Sequence, residues 1–98
     1  MSALDIIIVS FNAANDLERC LLSLQAHPPT GKHEIIVVDN GSSDNNVVRV
    51  CEKWPNIQII PLSKNVGFAE GCNIGFAHTQ APLVLLLNPD TVVPEGAL

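Results

Sequence analysis

The chain has 98 residues, of which 47% are hydrophobic and 15% charged, and its net charge is −5. That length holds one small domain, and that composition packs a core rather than staying disordered. An acidic balance without any basic cluster excludes a nucleic-acid surface. With three Phe, one Trp and no Tyr, the core must be aliphatic. Cys20, Cys51 and Cys72 are widely spaced, odd in number and form no C-x-x-C, which reads as buried thiols in a reducing compartment. Residues 6–9 are too short for a signal peptide and follow Asp5 rather than a basic stretch. No run approaches the ~20 apolar residues of a membrane span. The expected location is cytoplasmic, including the inner face of the membrane for a larger parent protein.

"LDIIIVSFN" opens with a β-branched run without alternation, the mark of a strand buried on both faces. "NDLERCLLSLQ" changes to helical spacing, with Leu17, Cys20, Leu21 and Leu24 on one face. Asn15 is placed to cap it, with Glu18 closing a capping box. "HPPTGK" breaks the helix, and "HEIIVVD" is a second buried strand ending at Asp39. "NGSSDN" is a loop from which Asp44 or Asn45 caps a short helix running through Lys53, where Trp54-Pro55 stops it. "NIQIIPL" alternates as a third strand nearer an edge. "FAEGCNIGFAHT" spaces Phe68, Cys72 and Phe76 along one helical face. Its Gly67, Gly71 and Gly75 suit close helix–sheet contact. "PLVLLLN" is the fourth strand, and Pro94 stands where a further helix would begin.

The order β-α-β-α-β-α-β predicts an α/β fold, a Rossmann-like parallel sheet with helices on both faces. Right-handed crossovers favour strand order 3-2-1-4. Ligands in such sheets bind beyond the carboxyl ends of the strands. Ser10 and Asn12 follow strand 1, Asp39 follows strand 2, Asn65 and Gly67 follow strand 3, and Asn88 and Asp90 follow strand 4. Asp, Asn and Gly also shape turns, so each alone is ambiguous; their convergence on one rim points to a binding site. No G-x-x-x-x-G-K-[ST] and no G-x-G-x-x-G occurs, which excludes the usual phosphate cradles. A diphosphate here would need a metal, and Asp90 is the oxygen ligand placed for Mg²⁺ or Mn²⁺.

"IIIVSFN", "VVDNGSSD", "NVGFAEGCNIGF" and "LLLNPDT", in this order and spacing, resemble family 2 of the glycosyltransferases, inverting enzymes of the A-type fold. The resemblance covers essentially the whole chain. It implies a nucleoside diphosphate sugar donor, with residues 10–12 against the nucleoside and Asp39 on the base. Asn65 and Gly67 would close the nucleotide pocket, and Asp90 would meet the metal. Asn88 departs from the family's Asp-x-Asp and is expected to hydrogen-bond the nucleotide side rather than ligate metal, a variant similar to rhamnosyltransferase-like members. The general base and the acceptor site, for a hydroxyl of a glycan or lipid-linked glycan in polysaccharide biosynthesis, are expected past Leu98. Residues 1–98 are therefore expected to form the donor-binding part of a longer transferase. Alternatives are a non-catalytic nucleotide-binding module and a sugar nucleotidyltransferase; the latter lacks the basic, Gly-rich loop it would need after strand 1. Strand 4 is expected at the sheet edge, where residues 83–87 offer a surface for self-association.

Overall fold

A computed structural model describes residues 3–43, 45–54 and 56–98. The chain runs β1 (Leu4–Ser10), α1 (Ala14–Ala26), β2 (His33–Asp39), α2 (Asn46–Cys51), β3 (Ile57–Pro61), α3 (Phe68–Ala77) and β4 (Leu83–Leu87). All strand pairs are parallel, in the order β3-β2-β1-β4. The register sets Ser10 beside Asp39, Ile8 beside both Val37 and Leu87, and Asp39 beside Pro61. The carboxyl ends of β1 and β2 are therefore flush, and β4 ends two residues short of them.

β1 explains the rest. Ile6, Ile7 and Ile8 have no exposed surface. Alternation along the strand sends Ile6 and Ile8 to one face, where they meet Leu17, Cys20, Leu21 and Leu24 of α1 and Val47 and Val50 of α2. Ile7 and Val9 go to the other face, against Val38 and Cys72. Asp5, at the amino end of the strand, is buried and accepts the backbone N–H groups of Gln80 (3.0 Å) and Ala81 (3.2 Å), which fixes the turn from α3 into β4.

The fold matches the predicted one, with local corrections. α1 begins at Ala14, with Ala13 at the cap and no side-chain cap bond, so Asn15 is already helical. Glu18 pairs with Lys53, beyond α2, instead of closing a capping box. Asn45 stands at the N-cap of α2 without a side-chain cap bond, and α2 ends at Cys51 rather than Lys53. Asp44 and Pro55, assigned to the cap and the stop, lie outside the described residues.

The buried face of α3 is Gly71, Cys72 and Gly75, while Phe68 and Phe76 are exposed. A Cβ at Gly75 would stand 2.8 Å from Ile7 Cγ2, and one at Gly71 would stand 3.0 Å from Val9 Cγ1. Absence of side chains at these two positions lets the helix backbone lie directly on β1, and this turns the phenylalanines to its flanks. Gly67 takes no part in that contact; it starts the helix at φ 88°. Finally, residues 94–98 form a turn closed by Ala97 N–H to Pro94 O (3.2 Å), not a helix. No helix among the described residues is long and apolar enough to cross a membrane.

Gly75→Val tests the close contact. The added branch meets a β-branched neighbour with no room to swing, so overpacking outweighs the roughly 1 kcal/mol of helix propensity gained on losing glycine. Urea denaturation should show a loss of about 2 kcal/mol or more; an unchanged midpoint would show that α3 is free to shift.

Candidate functional site

β1 and β2 end side by side, and their following loops are tied together. Asn12 adopts the left-handed conformation (φ 51°), which asparagine tolerates better than most residues. This reverses the chain between β1 and α1 and aims both its polar ends at the loop after β2. Its backbone N–H donates to Ser42 Oγ (3.0 Å), and its Oδ1 accepts from Ser43 N–H (2.8 Å) and Ser43 Oγ (3.1 Å). Ser42 N–H in turn donates to Asp39 Oδ1 (3.1 Å). Asp39 is buried on the α2 side of the sheet. Ser10 Oγ, level with it on the same face, is fully buried and has no hydrogen-bond partner. A cleft of about 530 Å³ opens beside this staple, lined by Asn12, Ser43, Asn46 and the first turn of α1.

The third predicted cluster is organised by a residue the sequence marked only as a turn former. Asn40 follows Asp39 and so faces the opposite side of the sheet, towards α3. Its Oδ1 accepts Val66 N–H (3.0 Å) and its Nδ2 donates to Gly67 O (3.0 Å), in the manner of a backbone strand. Asn65 Oδ1 accepts Gly67 N–H at 2.7 Å. Gly41, at φ 78°, lets this loop close down: a Cβ there would fall 2.3 Å from the backbone of Lys64 and Asn65. The alternation of a strand continued by one residue was the available signal for Asn40.

Asn88 and Asp90 lie on the other side of β1, in a turn closed by Thr91 N–H to Asn88 O (3.0 Å). Asp39 and Asp90 therefore leave strands two positions apart in the sheet, about 10 Å across. The two carboxylates leave their mark on buried thiols. Burial, with the charge of Asp90 adding to it, raises the Cys20 thiol to about 11. Burial and then Asp39 do the same for Cys51, also to about 11.

Among the described residues no three His, Cys, Asp or Glu side chains gather into a metal-binding group. A lone exposed carboxylate such as Asp90 fits a Mg²⁺ or Mn²⁺ whose remaining ligands are phosphate and water oxygens, and does not fit an all-protein cage.

Residues 5–98 match the model of glycosyl transferase family 2. The chain belongs to this family. An N-acetylglucosaminyltransferase of Bradyrhizobium sp. (strain ANU 289) is 32% identical over 98 residues, covering 95% of this chain and 64% of that protein. Two solved structures share the fold at 24% identity. The mannosyltransferase PcManGT from Pyrobaculum calidifontis, in complex with GDP-Man and Mn²⁺, superposes with a TM-score of 0.82 over 94% of this chain and 28% of its own. S. aureus TarS 1-349 in complex with UDP-GlcNAc gives 0.81 over 92% and 27%. This family 2 chain thus spans under two thirds of the length of each of these relatives. Its motif residues Ser10, Asn12, Asp39, Asn65, Gly67, Asn88 and Asp90 all lie at or just beyond the carboxyl ends of the strands.

The raised thiols give stability a defined alkaline dependence. The folded state keeps Cys20 and Cys51 protonated where the unfolded chain, near 9, would release the proton. Their contribution is complete below pH 9 and is lost as pH rises through about 11. The slope should be about 1.4 kcal/mol per pH unit for each thiol. Urea midpoints across this range should fall less steeply for Cys20→Ala than for the parent; equal slopes would place Cys20 in a wetter environment than the core.

Proposed function

We propose that these residues form the nucleotide-sugar donor-binding part of an inverting glycosyltransferase. The carrying observation is the convergence of three separately braced clusters on the carboxyl rim of the sheet in a family 2 chain: Ser10–Asn12–Asp39, Asn65–Gly67, and Asn88–Asp90. The complexes of the two solved neighbours with GDP-Man and UDP-GlcNAc support this reading.

In it, Asp39 accepts and orients the nucleoside, with Ser10 buried beside it at the end of β1 and Asn12 holding the wall of its pocket. Asn65 and Gly67 close the pocket from the α3 side. Asn88 and Asp90 face the diphosphate, and Asp90 would hold Mg²⁺ or Mn²⁺. When bound, that ion would neutralise the diphosphate and act as a Lewis acid on the leaving group. The reaction is attack of an acceptor hydroxyl on the anomeric carbon with departure of the nucleoside diphosphate. It needs a general base to take the hydroxyl proton. None of the residues at this rim is assigned that role; the base and the acceptor site belong to another part of the parent protein.

Calorimetry with UDP and dTDP separates the two carboxylates. Asp90→Asn should lower affinity about tenfold in Mg²⁺ or Mn²⁺ and change nothing in EDTA. Asp39→Ala should weaken nucleoside and nucleotide alike, with or without metal. Parent affinity that is the same in metal and in EDTA would remove Asp90 from the metal role.

The sheet edge supports one further property, self-association of these residues through β4. Its outer backbone groups have no neighbouring strand among the described residues, and Leu83 and Leu86 are exposed. Leu85 is packed against the α1-side core, so a charge there would damage the fold itself. Leu86→Lys is the sound probe: light scattering over a dilution series should show a dimer or larger species that this substitution dissociates. A monomer at high micromolar concentration would contradict pairing.

A further inference from the structure

Ser23 is a polar residue on the buried face of α1, among Leu17, Cys20, Leu21 and Leu24. A hydroxyl in such a place costs stability unless it is bonded. Here it is bonded twice. Its Oγ donates to the Cys20 carbonyl one turn back (2.7 Å) and accepts the backbone N–H of Val93 (2.9 Å), 70 residues away in sequence. Val93 is 3% exposed and inserts into the same core cluster as Leu17, Cys20 and Leu21. The segment after β4 is therefore pinned to α1 at one residue, by its side chain in the core and its backbone on Ser23.

Asp90 lies between that pin and the end of β4, in a span of five residues, 88–92, closed internally by the Asn88–Thr91 turn. Of the side chains in this span, Val92 is exposed and makes no anchor. Cys20, whose carbonyl accepts the Ser23 hydrogen bond, is also the thiol that the charge of Asp90 helps to raise, in line with a short path between the turn and the pin.

We infer that Ser23 is a positioning residue for Asp90, holding the turn that carries it through the Val93 backbone. This rests on the donor-binding reading of Asp90. Ser23 touches no ligand itself. Loss of its acceptor oxygen strands the Val93 N–H in the core and releases the end of the turn. Asp90 then samples positions away from the diphosphate, while the Asp39 pocket, two strand positions away, is untouched.

The test uses the chain with Mg²⁺ or Mn²⁺, UDP and uridine. Ser23→Ala should abolish the slow amide exchange of Val93 and lower metal-dependent UDP affinity about fivefold, with uridine affinity unchanged. Ser23→Thr, which keeps the hydroxyl, should restore both. If the alanine variant unfolds, Ser23→Cys fills the same space with a weaker acceptor and should show the same pattern. Asp90→Asn is the reference. If it removes the metal-dependent part of UDP binding and Ser23→Ala does not, the positioning role is wrong and the reading of Asp90 stands. If Asp90→Asn has no effect, the reading of Asp90 fails, and the role of Ser23 falls with it, whatever Val93 exchange shows. Equal loss of UDP and uridine affinity in Ser23→Ala would make Ser23 a general structural residue and overturn the proposal.

Discussion

The structure depends on burying β1 from both sides. Three consecutive isoleucines with no exposed surface need apolar cover above and below, and flanking strands to satisfy their backbone groups. α1 and α2 supply one cover with leucines and valines. α3 supplies the other with almost no side chain at all, by laying Gly71 and Gly75 on Val9 and Ile7. The asymmetry matters for the site. The thick side places Cys20 and Cys51 beneath Asp90 and Asp39; the thin side brings the start of α3, with Gly67, close enough to β2 for Asn40 to bridge the gap.

Strand order and the rim of polar residues were legible in the sequence because both follow from short-range pattern. Unbroken β-branched runs specify parallel strands, and each run ends in a polar residue whose position the run itself sets. The helix details were less legible because they turn on contacts distant in sequence. Asn15 and Glu18 have the spacing of a capping box, but the start of α1 is set by the Asn12 turn and its staple to Ser42 and Ser43, some 30 residues on. Helical spacing groups Phe68 and Phe76 with Cys72, yet the close approach of the helix backbone to the Ile7 and Val9 side chains decides the orientation of α3, and only glycine permits it. Pro94 suits a first helical position, but Val93 just before it is committed to the core and to Ser23, and the chain turns instead.

The adjacent pair Asp39 and Asn40 shows how the site divides its tasks. Strand alternation sends them to opposite faces. The carboxylate keeps one oxygen on Ser42 and stays on the α2 side; the amide uses both of its ends to hold the loop of residues 64–67. An amide suits that second task because it offers a donor and an acceptor in fixed geometry, which a carboxylate cannot. Exchange of the two residue types would leave Gly67 O without its donor and would put one carboxylate oxygen against that carbonyl, while the other could still accept Val66 N–H.

The rim braces described above are hydrogen bonds between neutral groups or from a backbone N–H to Asp39. The ion pairs among the described residues, Arg19–Asp16 and Lys53–Glu18, are largely exposed and include neither Asp39 nor Asp90. Exposed pairs of this kind contribute little to stability. The consequence is electrostatic. In a chain of net charge −5, two rim carboxylates are held in place without a protein cation assigned to neutralise either one. Bracing by neutral groups keeps the geometry independent of salt and of pH near neutrality, and under the proposed function it leaves the charge of Asp90 available to a cation that would arrive with the ligand. A lysine or arginine paired with Asp90 would have steadied the same turn, but at the cost of the negative potential that the proposed metal role requires. Fixing the turn from behind, through Val93 and Ser23, avoids that conflict.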